Sequence, residues 1–96
     1  MAFSVAARYV MKEGAAETVL SHLARVRQES LKEPGCVSYE PHRSVDDENV
    51  VFIIEKYETE DDFDHHVSTD HFIADVLGKV VPLLVERTVT KGRPAF

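Results

Sequence analysis

The amino-acid sequence predicts an α+β fold in which a four-stranded antiparallel sheet carries helices on one face. Three observations lead to this prediction: a stretch of period-two alternation near the start, an amphipathic helical pattern after it, and three further β-rich stretches with two short helical segments before the last. The resulting order, βαββααβ, is a split βαβ arrangement of the ferredoxin-like type. The chain has 96 residues, close to the commonest domain size, so we expect one domain over residues 1–96.

The first strand and the first helix have the clearest patterns. Between Phe3 and Met11 every second residue is apolar, and the positions in between are also fairly apolar. This predicts a strand in a sheet covered on both faces, by helices on one and by something else, such as another subunit, on the other. After Gly14 the apolar residues follow the spacing of one helical face until Pro34-Gly35. They are Ala16, Val19, Leu20, Leu23, Val26 and Leu31.

The middle of the chain predicts two strands joined as a hairpin. Residues 36–43 contain aromatic and β-branched side chains, and the polar loop 44–49 follows them. The apolar run from Val50 to Ile54 then leads to Tyr57 and predicts the third strand.

Two short helices are predicted next. Thr59 followed by three acidic residues is typical of a helix N-terminus, because the helix dipole favours negative charge there. A helix is therefore expected from about Glu60 to Val67. Ser68 or Thr69 can cap a second helix, whose apolar residues repeat at intervals of four. They are Phe72, Ile73, Val76, Leu77, Val80 and Val81.

The last part of the chain predicts one strand and a tail. Pro82 is expected to end the preceding helix, and residues 83–90 are rich in β-branched side chains. Residues 91–96 are expected to form the tail.

The composition excludes several classes of function. The formal net charge is −6 and no contiguous basic stripe exists, which argues against nucleic acid and anionic membranes as partners. Cys36 is the single cysteine, so an internal disulfide or a cysteine-based zinc site is excluded. The first residues lack the pattern of a signal peptide and no stretch is long enough to span a membrane, so a cytoplasmic location is expected. The glycine-rich motifs of nucleotide-binding sites are also missing.

Three segments together resemble a known family. They are Glu-Pro-Gly-Cys at 33–36, Glu-Lys-Tyr at 55–57, and His-Val-Ser-Thr-Asp-His-Phe at 66–72, which is similar to an H-x-x-[ST]-x-H-F motif. Their order and spacing resemble the antibiotic biosynthesis monooxygenase domain of the dimeric α/β-barrel superfamily, including its quinol monooxygenases. The resemblance covers nearly the whole chain.

The resemblance implies a homodimer whose two sheets pack face to face, with a pocket in each subunit between sheet and helices. It also implies oxygenation of a quinol-like or polycyclic aromatic substrate by molecular oxygen, without metal, flavin or haem. The haem-degrading branch of the family carries asparagine, tryptophan and histidine where this chain has Ala7, His66 and Val76. Haem degradation is therefore the less favoured branch.

Three interpretations of the histidine-rich stretch 65–71 compete. On one continuous helix His66 and His71 would lie about 140° apart, so they would not share a face as zinc ligands do. A metal would need a break in the helix between them and a third ligand from elsewhere in the chain. His42 or Glu55 could provide that ligand. Because both conditions must be met, no metal is expected. The simplest alternative is that His71 caps a helix junction and His66 is a partly buried polar residue.

The catalytic interpretation assigns the two histidines to one pocket. If the helix breaks at residues 68–69, a neutral His66 or His71 could accept the proton of a bound phenol or quinol. The transfer is uphill by about 5 kcal/mol for a phenol near pKa 10 and a histidine near 6.5. Glu55, Tyr57 and Phe72 are the residues expected to shape the pocket.

A second class of function is also compatible with this fold. A small dimeric protein could hold or isomerise a metabolite in the same pocket without redox chemistry, because a fold does not fix a reaction. Oxygen dependence separates the two hypotheses. A purely structural dimer is the third.

Overall fold

The computed structural model describes residues 2–96 and confirms the predicted fold class. The strands are β1 (Phe3–Met11), β2 (Cys36–Arg43), β3 (Val50–Tyr57) and β4 (Leu84–Gly92), and the helices are α1 (Ala16–Ser30), α2 (Glu60–Val67) and α3 (Phe72–Val80). A short 3₁₀ turn, Val81–Leu83, joins α3 to β4.

The four strands form one open sheet in the order β2-β3-β1-β4. Every neighbouring pair is antiparallel. The central position of β3 and β1 is that of the split βαβ arrangement, in which the β2–β3 hairpin lies on one side of β1 and β4 on the other. β4 begins one residue later than predicted and continues into the predicted tail. The reason is its pairing with β1, which extends to Ser4 opposite Gly92.

The core lies between one face of the sheet and the helices. The alternating side chains of β1 from Phe3 to Met11 are buried on this face, as the period of two predicts. Val19, Leu23 and Val26 of α1 are fully buried in one cluster with the later residues of this strand, Ala7, Tyr9 and Met11. Each such side chain contributes roughly 1.5–3 kcal/mol through burial, so this layer accounts for much of the fold's stability.

The start of α2 is fixed against the loop that follows α1. Thr59 and Asp62 form a capping box, with the Thr59 hydroxyl accepting from Asp62 N and the Asp62 carboxylate accepting from Thr59 N. Gly35 lies directly beneath the Asp62 carboxyl group, and a Cβ at residue 35 would overlap that group. Glycine is required here, and the close approach brings the neighbouring Glu33 to α2.

Helix α3 differs from the predicted α-helix, because its backbone has the wider π-type turn over nine residues. The N–H of Val81 accordingly donates to Val76 O, five residues back. The wider turn buries Asp75, Val76 and Val80, whereas Ile73 and Leu77 of the predicted apolar face are about half exposed.

The second face of the sheet is uncovered in a single chain. Phe52, Ile54 and Val85 lie on exposed parts of β3 and β4, with 38%, 37% and 70% of their surface accessible. Within residues 2–96, none of the helices combines the length and the apolar character that crossing a membrane requires.

Candidate functional site

Two openings of opposite character flank the histidine-rich segment. The first, here called the inner cavity, lies between the sheet and helices α2 and α3 and has a volume of about 30 Å³. Its wall is apolar and aromatic apart from the carboxylate of Glu55 and the guanidinium of Arg87. A space of this size holds one or two water-sized molecules, so the cavity is nearly closed.

The second opening, here called the outer groove, is an open depression of roughly 690 Å³ on the surface. Charged and polar side chains from the end of α1, the following loop and the α2–α3 junction line it, including Arg25, Lys32, Glu33, His65 and His71. Its polar lining suits water and ions rather than an aromatic ring.

A chain break brings the two site histidines together. Helix α2 ends at Val67, and the Thr69 hydroxyl donates to His66 O at 2.7 Å while accepting from Phe72 N at 3.3 Å. Thr69 thus ends one helix and caps the next, as its position predicts. The rings of His66 and His71 come to a centroid separation of 6.0 Å.

Glu33 joins the two imidazoles. Its Oε2 lies 2.9 Å from His66 Nδ1 and 2.6 Å from His71 Nε2, so each of these nitrogens donates to the carboxylate when it carries a proton. Glu33 and His66 are buried, and His71 is partly exposed to the outer groove. We call these three side chains the Glu33 cluster.

On the other side of His66 the contacts continue towards the inner cavity. His66 Nε2 lies 3.9 Å from Glu55 Oε1, and the Tyr57 hydroxyl donates to the same Glu55 oxygen at 2.7 Å. Ionisable side chains therefore form a continuous line from the wall of the inner cavity to the outer groove.

Burial dominates the electrostatics of this line. It raises the pKa of Glu55 to about 7, although the hydrogen bond from Tyr57 and the charge of Arg87 act in the opposite direction. Burial lowers the pKa of His66, partly offset by its hydrogen bond to Glu33. His66 is therefore neutral at pH 7, and one of its ring nitrogens is free to accept a proton or bind a metal.

Aromatic rings enclose His66 on the cavity side. The Phe72 ring meets it edge-on with centroids 5.3 Å apart, and Tyr39 lies at 5.7 Å. Arg87 of β4 lies over the Tyr9 ring at 5.7 Å, which holds a positive charge at the cavity wall.

The predicted site residues are thus divided between the two openings. Glu55 and Phe72 line the inner cavity, and Tyr57 lies behind Glu55 as its hydrogen-bond donor rather than in the wall itself. His66 is 1% exposed and lies between the two openings, and His71 faces the outer groove.

Sequence reasoning missed two charged residues. Glu33 is part of the Glu-Pro-Gly-Cys segment, but nothing in the local pattern distinguishes its side chain from an exposed acid. Arg87 had no distinguishing pattern, because it is one of several polar residues on a β-branched strand. Among the described residues, Glu33, His66 and His71 also offer three ligand atoms within 4.8 Å of one another, a geometry that could hold a metal ion.

The fold and the site define a class of protein: an α+β domain with a nearly closed, mostly apolar cavity between an antiparallel sheet and its helices. The family model for antibiotic biosynthesis monooxygenase matches residues 2–74. The chain belongs to this family. A comparison with curated proteins finds no match.

Solved structures support the same fold. The chain is similar to SO0527 from Shewanella oneidensis, with 25% identity, a TM-score of 0.90, and 95% of this chain and 88% of that chain covered. Rv0793 from Mycobacterium tuberculosis shares 24% identity, a TM-score of 0.92, and coverage of 100% and 97%. A structure named antibiotic biosynthesis monooxygenase shares 22% identity, a TM-score of 0.91, and coverage of 97% and 98%.

Proposed function

We propose that this protein is a cofactor-independent monooxygenase that oxidises a quinol-like or polycyclic aromatic substrate with molecular oxygen. The observation that supports it best is a nearly closed apolar cavity whose wall carries one buried carboxylate, Glu55, in a chain of the monooxygenase family. An apolar enclosure with few polar groups is what an aromatic substrate requires.

The reaction balances without an outside reductant. One quinol and one dioxygen give one hydroxylated quinone and one water. One oxygen atom becomes the new hydroxyl group on a ring carbon, and the other leaves as water. All four electrons come from the substrate. The protein's task is to remove the first hydroxyl proton, because the resulting anion is the form that reduces dioxygen.

In this proposal Glu55 accepts the substrate proton, because it is the ionisable acceptor that lines the cavity. His66 lies behind it at 3.9 Å and takes the proton onward, and Arg87 stabilises the substrate anion. Phe72 packs against the aromatic ring. His71, which the sequence predicts to be catalytic, has no direct role in this proposal, since it lines the outer groove and not the inner cavity.

The inner cavity must open to admit a substrate of this class. Its present volume of about 30 Å³ is too small for an aromatic ring system. Two of its lining residues reach the surface: Phe72 on α3 is partly exposed, and Arg87 on the edge strand β4 is exposed. We propose that the substrate enters between these two elements.

We also propose that the protein acts as a homodimer. The uncovered sheet face bearing Phe52 and Ile54 supports this proposal, because contiguous apolar surface on a sheet marks an interaction site. A second copy packed on this face would complete the barrel arrangement. Light scattering coupled to gel filtration measures it, and a monomeric mass at micromolar concentration would contradict it.

Oxygen uptake by metal-free protein with a reduced naphthoquinol tests the activity. We expect uptake above the spontaneous rate, falling in His66→Ala. His65→Ala is the matched control, since His65 is exposed and adjacent in sequence but is not part of the inner-cavity wall. A wild-type rate equal to the spontaneous rate across a panel of quinols would contradict the proposal and favour non-redox binding or isomerisation.

A further inference from the structure

The Glu33 cluster has the composition and spacing of a three-ligand metal site. Two imidazole nitrogens and one carboxylate oxygen lie within 4.8 Å of one another, although Glu33 is more than 30 positions from both histidines in sequence. The sequence argument against a metal required a helix break and a third ligand. The structure supplies both, at Ser68–Thr69 and at Glu33.

We propose that Glu33, His66 and His71 bind one divalent transition-metal ion of the zinc type, with the remaining position open to the outer groove. Two histidines and one glutamate are a known ligand set for zinc with an open fourth position. The inference does not rest on the oxygenase activity, because the candidate ligand atoms are those of Glu33, His66 Nδ1 and His71 Nε2, whereas the carboxylate that lines the inner cavity is that of Glu55.

The separations between ligand atoms are close to those a metal requires. Ligands at about 2.1 Å from one ion lie about 3.0–3.4 Å apart. The two separations from Glu33 Oε2, 2.9 Å to His66 Nδ1 and 2.6 Å to His71 Nε2, are shorter, as expected while hydrogen bonds hold the positions. All three ligand atoms lie within 4.8 Å of one another, so the carboxylate and the imidazoles would have to adjust their positions to share one ion.

A polar atom without a partner also points to a ligand. The Glu33 side chain is only 5% exposed. Within residues 2–96, its Oε1 atom is buried and makes no hydrogen bond. An unpaired buried carboxylate oxygen is costly unless something binds it. A metal ion held by this carboxylate would remove that cost.

The surroundings of the cluster match a metal site's support. A ligating histidine usually has a carboxylate at its other ring nitrogen, and Glu55 occupies that place for His66 at 3.9 Å. His71 and Glu33 both line the outer groove, which gives an ion a path from solvent. Metal binding at His66 Nδ1 would move that ring's proton to Nε2, towards Glu55.

The experiment uses the full chain without a histidine tag, stripped of metal and without any substrate. Titration with Co²⁺ is followed by its visible absorption bands, and Zn²⁺ is then added in competition. We expect one ion per chain, with Zn²⁺ displacing Co²⁺. Glu33→Gln and His71→Ala should each weaken binding by more than about 100-fold, beyond the 10–100-fold typical of residues that only support ligands.

Two further variants make the result decisive. His65→Ala removes a neighbouring histidine of the same groove and should bind as the wild type does, and Glu55→Gln should weaken binding by about 10–100-fold. Circular dichroism checks that each variant is folded. If His71→Ala is unfolded, the isosteric Glu33→Gln alone carries the test. Absence of stoichiometric binding, or binding that persists in Glu33→Gln or is lost in His65→Ala, overturns the assignment.

Discussion

The inner cavity and the outer groove share one line of ionisable groups but offer opposite environments. The cavity is nearly closed and apolar, with Glu55 in its wall, whereas the groove is open and charged, with Glu33 and His71 at its base. His66 belongs to both, since one ring nitrogen faces each carboxylate. The difference teaches that one histidine motif can face two environments, and our two proposals assign a chemistry to each: proton transfer from an organic substrate inside and ion binding outside.

The largest expected effect is the loss of kcat on substitution of a residue in the cavity wall, compared with substitution of a residue in the groove. Glu55→Gln should lower kcat for quinol oxidation by about 100-fold or more, the usual range for loss of a general base. His71→Ala in metal-free protein should change kcat by less than about tenfold, because His71 faces the groove. Oxygen uptake measures both. Equal losses in the two variants would break the division between cavity and groove.

The next effect is the pH dependence of stability. The pKa of Glu55 is about 7 in the folded protein and 4.5 as its ordinary value, so the folded state holds this proton more tightly. Stability from this group is full below pH 4.5 and declines as pH rises to 7, by about 3 kcal/mol for 2.5 units.

Urea unfolding at several pH values measures this decline. Glu55→Gln should remove it, whereas Glu58→Gln, at an exposed position just after β3, should leave it unchanged. A decline of the same size in Glu55→Gln would show that other groups cause it.

A third effect tests how well the interior beneath the sheet excludes water. Burial raises the pKa of the Cys36 thiol from 9.0 to about 11. At pH 8 the thiolate fraction is then about 100-fold lower than in an unperturbed cysteine, and alkylation by iodoacetamide should slow by about that factor. Mass spectrometry follows the reaction, with the urea-unfolded chain as control. Equal rates in the folded and unfolded chains would show that the thiol is accessible.

The smallest effect concerns the size of the cavity. Phe72→Ala should cost about 2 kcal/mol of stability, below the range for fully buried phenylalanines, because Phe72 is only partly buried. It should also enlarge the cavity and lower KM for a bicyclic quinol while leaving kcat within a few-fold. Steady-state oxygen uptake and thermal unfolding measure the two quantities. An unchanged KM would mean that Phe72 does not limit entry.

Local patterns were sufficient for most of the fold. The bounds predicted for β1, β2, β3 and α2 agree with the structure, because alternation and capping residues are properties of neighbouring positions. The π-type turn of α3 was not predictable, since the same apolar spacing also fits an α-helix.

The candidate site was predictable only in part. The proximity of His66 and His71 followed from the capping residues at 68–69. The place of Glu33 did not, because it depends on packing between segments 33 residues apart in sequence. The division between cavity and groove likewise required the three-dimensional arrangement of β4 and Arg87.

The wide turn of α3 makes the length of this helix matter as much as its composition. A π-type turn holds one residue more than an α-helical turn, so deletion of one residue between Ile73 and Leu77 would let the backbone narrow to the α-helical turn while the flanking residues keep nearly their present facing. Asp75, which accepts from Arg25 Nε at 3.0 Å, lies inside the widened stretch. Homologous chains one residue shorter here are therefore expected to keep apolar residues at the positions of Val76 and Val80 and to differ at the pair formed by Asp75 and Arg25.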